Sequence, residues 1–484
     1  MPLSLSLKSS RFFLREIRTR LPFSFGSGSL TSFPLLHLAV EVQSGDIVAT
    51  GFAADNLVPK WFDKEPGKGD ERNIQDLLRS AEIAAEVYGA AGTAPSLFVL
   101  WREAYPECQR RAQAGGLNKL TGAFGSALFE RAAIDALGRG HGASLRALLR
   151  DGALGLAPNE VHSETGPEHL RAWLEAEPAA SLAVRHTVGM LDPLSDAELR
   201  DAGPGDGLPR TLGEYVREQG LRYFKIKLGG DVLADLLRLE SIAMMLDMLI
   251  SEPYHASLDG NEQYKSIDAL EKLWAYIGKS PKLARLRASL LFLEQPLPRR
   301  AALDPTAAAG IAAFGRKLPV IIDESDDDPG SFKAALALGY AGVSSKNCKG
   351  VVKSFLNRTL VEALRARGES VFMTAEDLTN LPIVALQQDL ATARLLGLEH
   401  AERNGHHYVR GLDHCSERER EQALSRHGDL YERNDGGTML AVHGGALKLA
   451  SLECPGYGVA LEPDLEAMTP LESWKTAAAQ HTVR

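Results

Sequence analysis

The chain is poor in several features that would each point to a class of function. Its 484 residues hold only four cysteines, Cys108, Cys348, Cys415 and Cys454, and no two form a CxxC pair. Scattered cysteines argue against a disulfide framework and a thiolate zinc site, and they fit a reducing cytoplasm. The net charge of −9 lacks the basic excess of a general nucleic-acid binder, although it leaves room for a local basic site. No apolar run approaches membrane-spanning length. Neither nucleic acid nor membrane is therefore expected as a partner. Low-complexity tracts are absent, and no GxGxxG turn opens any strand–helix unit, which weakens the case for a doubly wound nucleotide-binding sheet. The N-terminal "MPLSLSLKSSRFFLREIRTRLPFSFG" is rich in Ser and Arg but has no apolar core and no clear cleavage site. It reads as the first strand of the fold rather than as a targeting segment.

What is present falls into two textures. Residues 1–150 mix strand and helix. "LLHLAVEVQSGDIVATGFA" reads as two strands about a Ser-Gly-Asp turn. "NIQDLLRSAEIAAEVYGAA" and "LTGAFGSALFERAAIDALGRGHG" read as helices, the second ending at glycines. This is an α+β module. From 180 to 440, short β-rich runs alternate with helical patterns, which implies a parallel sheet. The runs are "SLAVRHTVG", "LRYFKIKLGG", "ASLDGNEQY", "LLFLEQPLP", "LPVIIDES", "AGVSSKNC", "SVFMTAED" and "LLGLEHAERN". Eight such units predict an α/β fold with a TIM-like (β/α) barrel. Pro204 to Leu208 and His406 to Gly437 read as surface excursions, with "CSERERE" and "ERNDGG" solvated.

Active sites of such barrels lie at the C-terminal ends of the strands. There the second run presents Lys225 and Lys227, the third Asp259, the fourth Glu294, the fifth Asp323 and the sixth Lys346. Any one of these alone fits a helix cap, an ion pair or a snorkelling lysine. Three carboxylates at one mouth would repel each other, and they make sense around a hard divalent cation such as Mg²⁺. A lysine near a cation and a second lysine gives up its proton more readily and can then act as a base, with its partner as acid. The metal would stabilise an enediolate formed from a substrate carboxylate.

In these residues the sequence resembles the enolase superfamily, and within it the mandelate racemase/muconate lactonizing enzyme family. The KxK motif matches "KIK" at Lys225 and Lys227. The ligand motifs match "LDGNE" at Asp259, "LEQPL" at Glu294 and "IIDES" at Asp323, and the sixth-strand lysine matches Lys346. The lysine arrangement is that of the muconate-lactonizing subgroup; a His-Asp dyad is not evident. Beyond the site, "RTRLPFSFGSGSLTSF" and "GFAADNLVPKWF" resemble two capping loops, and "GALKLASLECPGYGVALEPD" resembles a C-terminal segment that returns to the cap.

The resemblance implies a modified (β/α)7β barrel over 180–440 and a capping domain over 1–150 completed by about 440–484. It implies Mg²⁺, or Mn²⁺ in its place, held by Asp259, Glu294 and Asp323. It makes Lys227 the base on one face of a small carboxylate substrate, Lys346 its counterpart on the other, and Lys225 a stabiliser of charge. Racemisation or epimerisation, cycloisomerisation, and an acid-sugar-type dehydration are all compatible outcomes. A homo-oligomer is expected. Asn261, Glu324, Glu376, Glu402, Lys60 and Trp61 are weaker candidates for contact with substrate or ligand shell. His406, His407 and His414 read as surface histidines, and Cys348 as packing. Two rivals remain: a Schiff-base lysine aldolase on a plain barrel, which leaves the three carboxylates without a role, and a binding protein that has lost turnover.

Overall fold

The structure is a computed structural model that describes residues 1–25 and 28–482. Strands β1 (Ser6–Phe25), β2 (Gly28–Ser44) and β3 (Ile47–Asn56) form an antiparallel sheet. The turn between β2 and β3 carries Gly45 in the left-handed region at φ 59°, a conformation glycine takes without strain. The tip of the first expected capping loop, Gly26 and Ser27, lies outside the described residues.

The run "FPLLHLAVEV" in β2 is apolar on both faces because both faces are covered. Leu36, Leu38, Val40 and Val42 pack on the helical side. Phe33, Leu35 and Ala39 pack with Leu381, Val384 and Val409 of the second unit. Residues of one strand alternate between faces, so the two sets interleave. Helices α1 (Asp70–Ala90), α2 (Leu97–Ala114) and α3 (Lys119–His141) complete the cap. The stretch around Tyr105 is helix, buried at Tyr105 itself. Helix α3 is buried over almost its whole length. Asn118 caps its start by accepting from the Thr121 N–H at 2.9 Å, and Gly142 ends it at φ 65°. Where α3 crosses β3 the backbones come so close that a side chain at Gly51 would run into the Ala132 carbonyl.

The eight predicted runs are the eight strands of a closed parallel barrel: β4 (Ser181–Val188), β5 (Tyr223–Lys227), β6 (His255–Asp259), β7 (Leu290–Glu294), β8 (Val320–Ile322), β9 (Gly342–Ser345), β10 (Phe372–Ala375) and β11 (His400–Arg403). Closure is the pairing of β11 with β4, from His400↔Ala183 to Arg403↔His186. Helices follow the first seven strands. The eighth leads only into the short helix Gly405–Tyr408.

The segment after His406 differs from a solvated excursion. It contains the helix Glu417–Arg426 and a hairpin of β12 (Tyr431–Asn434) and β13 (Gly437–Leu440). Glu419 is buried and pairs with Arg15 of β1 at 2.9 Å. Within "ERNDGG", Arg433, Asn434 and Asp435 are exposed. His407 is buried and His406 and His414 are partly so. The rings of His406 and His407 pack with His186 and Tyr215, while His414 Nε2 bonds the Pro382 carbonyl at 2.6 Å. Apolar packing between hairpin, barrel and cap, rather than solvent, surrounds them. The C-terminal segment serves both units. Strand β14 (Ala446–Lys448) pairs antiparallel with the first residues of β4, and β15 (Thr469–Pro470) pairs with β1.

Candidate active site

Strand register sets the site. Lys227 pairs with Asp259, and Asp259 pairs with Glu294, across β5, β6 and β7. Paired residues point to the same face of a sheet, so the three stand at one level inside the barrel mouth. Glu294 pairs with Ile321; Asp323, two residues on, faces the same way. Gly342 pairs with Ile321, so Ser344 and Lys346 follow inward by the same parity. Arg185 pairs with Glu402, and Thr187 with Lys225. Phe224 and Ile226, the intervening residues of "FKIK", are fully buried on the helical side. Below this layer, the rings of Tyr223, His255 and His400 pack together, and the Arg185 guanidinium lies 5.0 Å from the centre of the Phe292 ring. The barrel floor is therefore closed.

The charged groups form one web. Lys225 Nζ lies 2.7 Å from Glu294, 2.7 Å from Glu376, 3.0 Å from Glu402 and 3.1 Å from Asp259. Lys227 donates to Asp259 Oδ2 at 2.6 Å. Lys346 donates to Asp323 Oδ2 at 2.7 Å. Lys349 reaches Asp323 Oδ1 at 3.1 Å and the Ser344 carbonyl at 2.8 Å. Arg185 pairs with Glu376 and donates to Ser257 Oγ at 2.7 Å. Thr187 donates to Glu402 at 2.6 Å. Lys225, Asp259, Glu294 and Asp323 are each 1% exposed. The Lys227 side chain is 26% exposed, so the opening to solvent is on its side.

Burial and pairing oppose each other throughout. Burial works against the ammonium of Lys225, yet Asp259, Glu294, Glu376 and Glu402 hold its pKa well above the usual lysine value. Lys227 is likewise raised, with Asp259 outweighing burial and the neighbouring Lys225. Lys346 is raised by Asp323 against burial. Each of these lysines faces a carboxylate at contact distance, which favours its charged form. Asp323 is held well below the carboxylate range, with Lys346 and Lys349 outweighing burial. Glu294 goes the other way: burial and the charges of Asp259 and Glu376 push it well above.

The fit of a divalent cation can be judged from these groups. Among the described residues no three His, Cys, Asp or Glu side chains converge as a ready ligand set; the Lys225 ammonium holds the space between the carboxylates. The donors nevertheless fit in kind. Three carboxylates end three adjacent strands, all with hard oxygen donors. Glu294 Oε2 meets the Lys225 ammonium at 2.7 Å but outside hydrogen-bond geometry, and burial with the charges of Asp259 and Glu376 disfavours its ionised form, so added positive charge would suit it.

The weaker candidates separate. Asn261 touches the shell: its N–H donates to Asp259 Oδ1 at 2.7 Å, and its side chain to Glu324 at 2.9 Å. Glu376 and Glu402 are both partners of Lys225. Trp61 covers the site, its ring centre 4.2 Å from Lys346 Nζ. Glu324 is bonded by Asn261 and Lys64, so its partners are not Lys346. Lys60 pairs with Asp70 near the surface and stands apart from the web. Cys348 is buried and its thiol is pushed well up by burial, as packing requires.

Sequence reading missed Arg185, Lys349, Gln295 and Lys64. Arg185 carried a signal, a charge two residues from Thr187 within "VRHTV". Gln295 accepts from the N–H groups of Asp323 and Ser325 at 2.8 and 3.1 Å and donates to Ser325 Oγ at 2.8 Å. It ties the ends of β7 and β8 together, from a backbone at φ 33°. Lys64, on the second capping loop, pairs with Glu262 at 2.6 Å and lies 3.5 Å from Glu324; nothing local in "WFDKEP" announced it.

No family model and no curated protein matches the chain. Solved structures do match over nearly the whole length. A mandelate racemase/muconate lactonizing protein from Herpetosiphon aurantiacus is 18% identical, with a TM-score of 0.56, over 94% of this chain and 99% of that one. An N-succinyl Arg/Lys racemase from Bacillus cereus is 16% identical, with a TM-score of 0.57, over 97% and 98%. An enolase from Bradyrhizobium, complexed with magnesium and mandelic acid, is 15% identical, with a TM-score of 0.55, over 99% of each chain. The chain has the capped-barrel fold of the mandelate racemase/muconate lactonizing enzymes.

Proposed function

We propose that this chain, built on the mandelate racemase/muconate lactonizing enzyme fold, is a Mg²⁺-dependent enzyme of that family, close to the muconate-lactonizing subgroup. It removes the proton α to a small substrate's carboxylate. The observation that carries the reading is the placing of two lysines. Lys227 ends β5 and Lys346 follows β9, four strands apart in a ring of eight. They stand on opposite sides of the mouth, with the carboxylates of β6, β7 and β8 between them. A carbon held there meets an amine on each face, the arrangement a 1,1-proton transfer needs.

Asp259, Glu294 and Asp323 would hold Mg²⁺; a solved structure of the same fold, the Bradyrhizobium enolase, is complexed with magnesium. When bound, the ion supplies positive charge to the substrate carboxylate as its α-proton leaves. The chain's own groups do the rest. Lys227 accepts the proton once the pull of Asp259 on its ammonium is relieved. Lys225 keeps its charge near the carboxylate oxygens. Lys346 returns a proton to the opposite face, and Trp61 keeps water from that side. Racemisation or epimerisation follows directly from two opposed lysines; cycloisomerisation and elimination of water use the same first step with a different substrate.

The test is a screen of carboxylates in D₂O with Mg²⁺, read by mass spectrometry and polarimetry. Exchange should require Mg²⁺ and vanish with EDTA. Lys346→Ala should still exchange from the Lys227 face but give no inversion, and Lys227→Ala should lose that face. Exchange on both faces in Lys227→Ala, or metal-independent turnover with borohydride trapping of a lysine, would reject the assignment.

A further inference from the structure

The helix Val232–Leu249, which follows β5, is apolar on two opposite faces, with Arg238, Glu240 and Asp247 between them. One face is accounted for: Leu239, Ile242, Ala243 and Leu246 are buried against the barrel. The opposite face carries Leu233, Leu237, Met244 and Met248, which are 61%, 64%, 60% and 72% exposed. A continuous apolar face of a helix is normally covered. Ten large apolar side chains are prominently exposed among the described residues; these four share one helix, and two more, Met190 and Leu191, lie beside it. Arg238 of the helix fixes that neighbouring loop by bonding the Gly189 and Asp192 carbonyls. By contrast, the next barrel helix, Ile267–Lys279, presents Lys272 and Lys279 to solvent.

The order of the stripe indicates what covers it. Leu233, Leu237, Ser241, Met244 and Met248 form one line along the helix, and the spacing of the four large residues reads the same in both directions. Leu233 and Met248 are equidistant from a point beside Ser241, as are Leu237 and Met244. An isologous twofold contact pairs residue i with residue j and j with i. Two copies laid antiparallel about that point would set Leu237 of each against Met244 of the other, and Leu233 against Met248. The small Ser241 at the centre permits the close approach of 8–10 Å between axes that packed helices adopt.

The flanking charges are already satisfied within the chain. Glu240 pairs with Lys282 at 3.0 Å, Asp247 with Arg285 at 3.5 Å, and Arg238 lies 3.7 Å from Glu198. A face without uncompensated charge gives a charged partner nothing to recognise and suits an identical copy. A stable interface takes about 800 Å² from each partner; the stripe supplies its apolar centre, and Met190 and Leu191 widen it.

We propose that the exposed face of the helix Val232–Leu249 is the twofold interface of a homodimer, with Ser241 beside the axis. The barrels then lie side by side with their mouths facing opposite ends, and each keeps a complete site.

Sedimentation at micromolar concentration should give the wild type twice the mass of one chain. Leu237→Glu and Met244→Glu should each halve the mass with unchanged circular dichroism, because each sets a carboxylate in an apolar contact. The Leu237→Glu/Met244→Lys double variant should recover the dimer through a new ion pair across the axis. Ser241→Cys should give a disulfide-linked dimer in oxidising buffer, since all four native cysteines are buried. A monomeric wild type overturns the proposal, including one that co-sediments with phosphatidylcholine vesicles. A dimer that survives both single substitutions, or a double variant that stays monomeric, overturns it too.

Discussion

Lys225 shows how much of the site rests on single residues. Its ammonium is the counter-ion of four buried carboxylates. Removing one partner of a buried pair leaves charge uncompensated and costs about 3–5 kcal/mol. Lys225→Met should therefore unfold at a markedly lower temperature in EDTA. Added Mg²⁺ should restore part of the loss, since two of the vacated carboxylates, Asp259 and Glu294, are assigned to the ion. Thermal scans with EDTA and with MgCl₂ check this; a variant as stable as wild type without metal would show that the web does not need the ammonium. Lys225 and its neighbours were legible because a strand alternates its faces, so two lysines two residues apart must share one. Lys349 was not legible. It lies beyond the strand end in a short turn, where no periodicity tells which way a side chain points.

Strands were the most readable elements, since each of the eight runs is a short β-rich stretch with a polar end at the mouth. The capping loops were readable as loops, but their contacts were not, because the residues that hold them are distant in the chain. Arg299 illustrates this. It bonds Glu262 and also donates to the Trp61 and Phe62 carbonyls at 2.8 Å each. It thereby fastens the second capping loop over the site. Hydrogen bonds to charged groups contribute about 1.5–3 kcal/mol each. Arg299→Ala should free the loop while leaving the barrel folded. Hydrogen exchange in residues 57–69 should accelerate selectively, and KM should rise more than kcat falls. Exchange unchanged in that segment would mean that Lys64 and packing alone hold it. The segment from His406 to Gly437 was misread for a related reason. Its polar density resembles a surface loop, whereas Arg15, far away on β1, provides the partner that lets Glu419 be buried.

At the scale of the whole molecule, cap and barrel are joined by a buried carboxyl. Glu130 of α3 accepts from the Val352 N–H at 3.0 Å, at the start of the barrel helix Val351–Ala366. Burial pushes its pKa up to about 7, against the bond from Val352 and the charge of Arg131. The sign of the pH effect follows. An unfolded glutamate ionises near 4.5, while the native one keeps its proton until about 7, so the native state binds more protons between those values. Stability is therefore greatest below about pH 4.5 as far as this group is concerned, and falls as pH rises to about 7. At 1.36 kcal/mol per unit the fall amounts to about 3 kcal/mol. Glu130→Gln keeps an acceptor for Val352 and abolishes the titration. The difference in unfolding free energy between variant and wild type should grow in the variant's favour from about pH 5 to about pH 7.5 and then level off. Denaturant melts across that range measure it. A constant difference would mean that Glu130 is already ionised in the native interface. In that case the helix start at Val351 would have to stabilise the buried charge, and the two units would be joined by an ion at a helix terminus rather than by a neutral hydrogen bond.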